Sequence, residues 1–288
     1  MNPKKGLFAL LALALAAGAC VNTQNYLDPS EPKYAGDYGP RPGAESRLRT
    51  GGSFRVVTFN IAYGDHVDRA LEVLRESEPL HDFDALALQE MDLRGVNQIA
   101  RELALGYVYF PAAVHPAKKR DFGCAILSPW PLEKPLKIVR PHKSFGTNLS
   151  RAATAATVVR GDQRIRVYSV HLAGGLAISY ASRREQVQPV IVDAGASPEP
   201  VIIAGDFNSY GIGEEFTKAG FTWVTRDVGP TLHNLFFRFR FDHIFAKGLS
   251  EAPPSALTGV IQENKKASDH RPVWAVIEFD ASGGVREN

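Results

Sequence analysis

Val201-Ile202-Ile203-Ala204-Gly205-Asp206-Phe207-Asn208 sets an apolar run before a glycine, an aspartate and an asparagine. The run is short and β-branched, which reads as a buried strand, and Asp206 and Asn208 stand where it gives way to a loop. On an extended segment, side chains two residues apart point to the same side, so one strand end can present both polar groups. Ser268-Asp269-His270-Arg271-Pro272 repeats the arrangement in reverse, placing Asp269 and His270 just before the apolar run Val273 to Phe279.

Working outward, further strand-like runs occupy Phe54 to Ile61, Ala85 to Leu88, Tyr107 to Phe110, Gly123 to Leu127, Ala152 to Val159, Ile165 to Val170 and Phe241 to Phe245. Helical spacing appears in Val67-Ala70-Leu71-Leu74, in Val96-Ile99-Ala100-Leu103 and across Ser179 to Val192. The sum is a mixed α/β domain with helices covering sheets. Metal-capable residues recur at the strand ends: Asn60, Glu90, His171, Asp206, Asn208, Asp242, Asp269 and His270. Singly, an Asp or Asn after a strand is a turn former and a His is a polar cap. Together they form a set that loop solvation does not explain.

The ordered series Thr58-Phe59-Asn60, Leu88-Gln89-Glu90, Ser150-Arg151-Ala152-Ala153, Val170-His171-Leu172, Gly205-Asp206-Phe207-Asn208, Phe241-Asp242-His243-Ile244-Phe245 and Ser268-Asp269-His270-Arg271-Pro272 resembles the endonuclease/exonuclease/phosphatase family of metal-dependent phosphoesterases. The resemblance implies two stacked, mainly antiparallel β-sheets flanked by helices, the four-layer α/β/β/α sandwich of DNase I-like proteins. It also implies hydrolysis of phosphate esters, most naturally diesters, by water attack at phosphorus. Glu90 then corresponds to the principal metal ligand, with Asn60 and Asp269 completing an oxygen-rich site suited to Mg²⁺ or Mn²⁺. Asp206 would orient or deprotonate the water, and Asn208 would donate its amide to a phosphoryl oxygen. His270, its ring held by Asp242, would contact the phosphate or position the nucleophile. His171 would contact phosphate or assist the leaving group. Arg151 would bind phosphate or pair with an acid such as Glu90. Where many relatives carry Asp-Tyr, this chain has Asp242-His243, and His243 reads as a structural ring.

At the N-terminus, Lys4 and Lys5 precede the apolar run Leu7 to Ala17, and Ala17-Gly18-Ala19 leads to Cys20. This is the layout of a secretory signal, too short to span a bilayer comfortably. With Cys20 directly after small residues it resembles a bacterial lipoprotein signal, although Ala17 stands where leucine is usual. The expected organisation is a signal peptide at 1–19, lipidated Cys20 and a flexible Pro- and Gly-rich tether at 20–52, the phosphoesterase domain at 53–280 and a tail at 281–288. The protein is then exported and lipid-anchored to a bacterial membrane facing the periplasm or exterior, with plain secretion as the alternative. Cys124, in an apolar run, reads as a buried structural thiol.

Lys and Arg total 33 against 31 Asp and Glu, and the segment Met1 to Ala19 carries two lysines and no acid, so the formal +2 belongs to the leader. A neutral body supplies no general field for a polyanion. Nucleic acid, a phospholipid such as sphingomyelin and a small phosphoester therefore remain as substrate classes, handled by a monomer. His115, Lys118, Lys119 and Arg120 read as a solvated basic loop. Phe237-Arg238-Phe239-Arg240-Phe241 reads as a strand with its phenylalanines in the core. The non-enzymatic alternative is a surface scaffold that keeps the fold without turnover; the complete set of polar residues argues against it.

Overall fold

The computed structural model describes residues 23–39, 53–233, 238–248 and 257–278. In spatial order the first sheet comprises β1 (Tyr34–Asp37), β4 (Gly106–Val114), β5 (Asp121–Ser128), β3 (Ala85–Met91), β2 (Ser53–Asn60), β15 (Val273–Glu278) and β14 (Thr258–Val260). The second comprises β10 (Thr222–Trp223), β13 (Asp242–Lys247), β9 (Val201–Asp206), β8 (Gln163–His171), β7 (Ala152–Arg160) and β6 (Leu132–Val139). A small ribbon pairs β11 (Leu232–His233) with β12 (Arg238–Phe239).

All neighbouring strands are antiparallel except β2–β3 and β8–β9. A parallel pair needs a crossover, and helices supply it: α1 (Val67–Glu76) links β2 to β3, and α3 (Tyr180–Gly195) links β8 to β9. The remaining helices are α2 (Leu93–Glu102) and the short α4 (Gly213–Lys218). Two of the helix N-termini carry side-chain caps. Asp92 caps α2 by accepting from the Gly95 amide, and Ser179 caps α3 by accepting from the Ser182 amide.

Both faces of the central strands are buried, which is why they read as continuous apolar runs. Phe54, Val56 and Ala87 meet Val167, Ile202 and Ala204 between the sheets. The alternate residues Val57, Phe59 and Leu88 pack with Leu71, Leu74 and Ile99 of α1 and α2. On the far side Tyr168, Val170 and Ile203 pack with Val187 and Val190 of α3. The four-layer sandwich expected from the sequence is the observed architecture. Cys124 is buried, and burial pushes its thiol up to about 12, so it stays protonated in the core.

Two segments differ from expectation. The tether anticipated from residue 20 to 52 is folded over residues 23–39, where β1 adds to the edge of β4 and Tyr34 stacks on Tyr109 with ring centres 6.0 Å apart. Edge pairing and tyrosine stacking hold it without an apolar period. Cys20, the leader and the 281–288 tail lie outside the described residues. The second difference is β6, which the sequence hid behind Glu133, Lys134 and Pro135. It is an edge strand whose register slips between Glu133 and Leu136, a position that tolerates proline.

Gly205 is fixed by sterics. It faces Val170 across the β8–β9 pair, and a Cβ there would sit 1.9 Å from the Val170 carbonyl oxygen. Gly205→Ala must push two central strands apart, and a urea titration should show a loss of about 3 kcal/mol or more. A loss below roughly 1 kcal/mol would contradict the close approach.

Candidate active site

The strands at the middle of both sheets end on one rim, where they deliver the site. Asn60 ends β2, Asp206 ends β9, His171 ends β8 and Asp242 opens β13 opposite Asp206 in register. Glu90 reaches the rim differently. The pairing of β3 with β5 slips between Leu88 and Met91, and Glu90 sits inside that bulge with a φ of 60°. A bulge re-aims a side chain that regular alternation would place elsewhere. Thr58 donates to Gln89 (3.2 Å), Gln89 to Ser169 (3.0 Å) and Ser169 to the Leu88 carbonyl (2.9 Å), which ties β3 to β8 beneath the site.

Asp206 is buried at the centre. Its Oδ2 accepts from Asn60 Nδ2 at 3.0 Å and Asn208 Nδ2 at 3.1 Å, and lies 3.4 Å from His171 Nε2 and 3.6 Å from His270 Nε2. Its Oδ1 accepts from the Asn208 amide at 2.8 Å. Burial, reinforced by the charge of Asp242 and opposed by His270 and the two asparagines, pushes this carboxyl up to about 7. His270 Nδ1 stands 2.8 Å from Asp242 Oδ2, as expected. Burial alone would discharge that ring, but Asp242 and Asp206 outweigh it and raise it to about 10. His171 goes the other way: burial and the positive charges of Arg151, His270 and Arg140 hold it neutral.

Above this floor opens a cleft of about 610 Å³ lined by Tyr63, Glu90, Lys118, Ser268, Asp269 and His270, among others. Glu90 Oε2 accepts from the Tyr63 amide at 3.1 Å, whereas Oε1 lies 3.7 Å from His171 Nε2, too far for a hydrogen bond. Burial raises the Glu90 carboxyl, with Arg151 and His270 opposing and Asp269 adding to the rise. Exposed Asp269 faces the same cleft, and Asn60 Oδ1 accepts from the Ala62 amide at 3.1 Å. Arg151 lies over the Phe122 ring, 4.8 Å from its centre, and its buried Nε and Nη1 have no hydrogen-bond partner among the described residues.

The sequence-predicted residues therefore converge, with two changes of detail. Asn208 shares the side of Asp206 through a turn at φ 50°, not through strand alternation, and its amide hydrogens are spent on Leu172 O (3.0 Å) and Asp206. It orients Asp206 here and does not point an amide at a substrate. Phe239 is exposed and stacks on half-buried Phe241 with ring centres 4.8 Å apart, so these rings are not core. Sequence reading missed Tyr63 and Asn264, and gave Ser268 no role within its motif. Ser268 Oγ accepts from the His270 amide at 3.0 Å, and Asn264 Nδ2 donates to the carbonyls of Ser268 (2.6 Å) and His270 (2.7 Å). Lys118 was visible only as part of a basic run; it stands at the cleft, 4.9 Å from the Tyr63 ring centre, paired with Asp65.

The family model for the Endonuclease/Exonuclease/phosphatase family matches residues 57–270. The chain belongs to that family. A member of it is a phosphoesterase-type hydrolase, and family members generally depend on a divalent metal. Solved structures with the same fold include an endonuclease/exonuclease/phosphatase family protein from Leptotrichia buccalis C-1013-b, with 17% identity and TM-score 0.62 over 78% of this chain and 100% of that one. A humanized D. rerio TDP2 carrying 14 mutations gives 18% identity and TM-score 0.61 over 80% and 100%. Sphingomyelinase C from Streptomyces griseocarneus gives 18% and 0.60 over 78% and 99%. A comparison with curated proteins returned no match.

Within this family member, Asp206, Asp242 and His270 also form a cluster whose ligand atoms lie within 4.8 Å of one another. A charged imidazole offers no lone pair to a metal, so the cluster is better described as a hydrogen-bonded Asp242–His270 pair standing 3.6 Å from Asp206. The oxygen set of Glu90, Asp269 and Asn60 fits a hard cation: Glu90 Oε1 has no hydrogen bond among the described residues, and burial beside Asp269 penalises its negative charge.

His243 is enclosed by Phe207, Tyr210, Trp223 and Phe245 at ring-centre distances of 5.9, 5.9, 5.0 and 6.0 Å. Burial lowers its pKa to about 3, against backbone contacts with Ser209 and Arg240. A histidine depressed in the folded state binds its proton only on unfolding, so stability falls as pH drops below 6.5. His243→Phe should remove this component, roughly 2 kcal/mol between about pH 6.5 and 4.5, as read from urea midpoints of both proteins. Parallel pH profiles would contradict the structural reading of His243.

Proposed function

We propose that the protein is a phosphodiesterase dependent on Mg²⁺ or Mn²⁺ that attacks phosphorus with water. The observation that carries this reading is the buried Asp242–His270–Asp206 series, set below a carboxylate-lined cleft, with the buried Nε and Nη1 of Arg151 left without a hydrogen-bond partner among the described residues. Asp206, with a proton affinity near neutrality, takes the proton of the attacking water. His270, held charged and oriented by Asp242, donates Nε2–H toward charge developing on a phosphoryl oxygen. His171, kept neutral, lends a donor on the opposite side of Asp206. Arg151 brings a fixed positive charge to the phosphate. Glu90, Asp269 and Asn60 would hold the metal, which when bound withdraws charge from a phosphoryl oxygen.

The substrate classes are nucleic acid, phospholipid and small phosphodiesters; among structural relatives, one TDP2 was solved with a single strand DNA product and another protein is a sphingomyelinase C. We place the protein outside the cytoplasm as a monomer, lipid-anchored through Cys20. Mass spectrometry of the mature N-terminus tests the anchor: a diacylated Cys20 is expected, and an unmodified one overturns it.

Asp206→Asn, His270→Ala and Glu90→Ala should each lower turnover of a diester by about 100-fold or more while cooperative unfolding is kept. A chelator should abolish the wild-type rate, and Mg²⁺ or Mn²⁺ should restore it. Near wild-type rates in any folded variant, or metal-independent hydrolysis, would refute the assignment. The same assay run on DNA, RNA, sphingomyelin and phosphoinositides ranks the substrates.

A further inference from the structure

The most exposed large apolar side chains among the described residues are Leu176, at 102%, and Phe145, at 84%. They come from two loops joined to each other, the Phe145 amide donating to the Ala177 carbonyl at 2.7 Å. Neither loop is loosely held. Ser144 donates to Leu149 O at 2.9 Å, and Asn148 to Ser144 O at 2.8 Å. Buried Gln186 of α3 clamps both, donating to Pro141 O (3.0 Å) and His142 O (3.1 Å) and accepting from the Ala173 amide (3.1 Å). Two loops tied to each other by hydrogen bonds thus carry two large apolar side chains into water, an arrangement that costs solvation and marks a contact surface.

The same loops border the site. The 172–179 loop leaves β8 directly after His171 and runs against Asn208, with Arg183 Nη1 donating to Asn208 O at 2.9 Å and Nη2 to Ile178 O at 3.4 Å. The Phe145 loop leads through Ser150 into Arg151. The N-terminal segment also docks here. Thr23 Oγ1 donates to Thr147 O, Asn25 Nδ2 to Asn148 O at 2.9 Å, and Asn25 Oδ1 accepts from the Ser150 amide at 2.7 Å. Cys20 is three residues before Thr23, and three extended residues reach about 11 Å at most. An anchor on Cys20 would lie within that reach of Thr23, whose hydroxyl bonds the loop two residues after Phe145.

We infer that Phe145 and Leu176 form a membrane-contacting tip that, with the anchor at Cys20, seats the Asn208 and His171 side of the active site against the bilayer. The inference rests on the lipid-anchor reading above; it adds an orientation that anchoring alone does not give. The described chain begins at Thr23, which bonds the Phe145 loop, and a leucine with no π face suits acyl chains better than stacked bases.

The test uses the mature protein reconstituted in phosphatidylcholine–phosphatidylglycerol vesicles containing brominated acyl chains. Leu176→Trp is compared with Val192→Trp, an exposed position near the opposite end of α3, after subtraction of the wild-type signal. Quenching at position 176 should exceed that at 192 by about threefold or more, as for a side chain placed below the headgroups. Equal quenching on protein whose Cys20 mass spectrometry shows to be lipidated overturns the orientation; an unmodified Cys20 overturns the anchor and the inference with it. Both variants should turn over a soluble diester at the wild-type rate, which separates these outcomes from failure of the catalytic reading.

Discussion

One carboxylate oxygen, Asp206 Oδ2, stands among four side-chain nitrogens supplied by β2, β8, the turn after β9 and the turn before β15. A carboxylate at 1% exposure is costly to ionise, and only such a ring of donors and a neighbouring cation makes it tolerable. Asn60 belongs to the first sheet and His171 to the second, so the ring closes only when the sheets stack in this register. The inter-sheet core holds the polar floor in place, and the floor penalises any slip of one sheet over the other.

The charges around that oxygen separate into roles. Asp242 keeps His270 protonated, His270 keeps Asp206 from losing its charge entirely, and Arg151 with His270 keeps His171 neutral. Three groups that would titrate within a few units of each other in water are spread apart by burial and mutual charge, as acid and base roles at one pH require. The cleft above them is coupled to this floor through Glu90, whose buried carboxyl feels the charges of Arg151 and His270 as well as the repulsion of Asp269, while Lys118 is paired with Asp65.

Most of the fold was legible in the sequence because the central strands are buried on both faces and so appear as unbroken apolar runs. The strand-end positions of Asn60, His171, Asp206 and Asp242 were legible for the same reason. The edge strands were not: β6 hides behind charge and Pro135, and β1 is held by tyrosine stacking that leaves no period. Within the site, the Asp242–His270 pairing was anticipated from the family resemblance. The inward turn of the Asn208 amide was not, because it depends on a left-handed backbone at a loop position and on the Leu172 carbonyl of a neighbouring loop. Nor could spacing reveal Tyr63, which acts through a backbone amide that almost any residue could supply, or Asn264, whose side-chain amide reaches carbonyls four and six residues on.

The division between a metal-holding cleft and a proton-holding floor is tested most directly by anomalous diffraction from crystals soaked in Mn²⁺. The expected result is a peak bound by Glu90 and Asp269, with His270 Nδ1 still on Asp242. A peak coordinated by Asp206, Asp242 and His270, leaving Glu90 and Asp269 without the ion, would contradict the division.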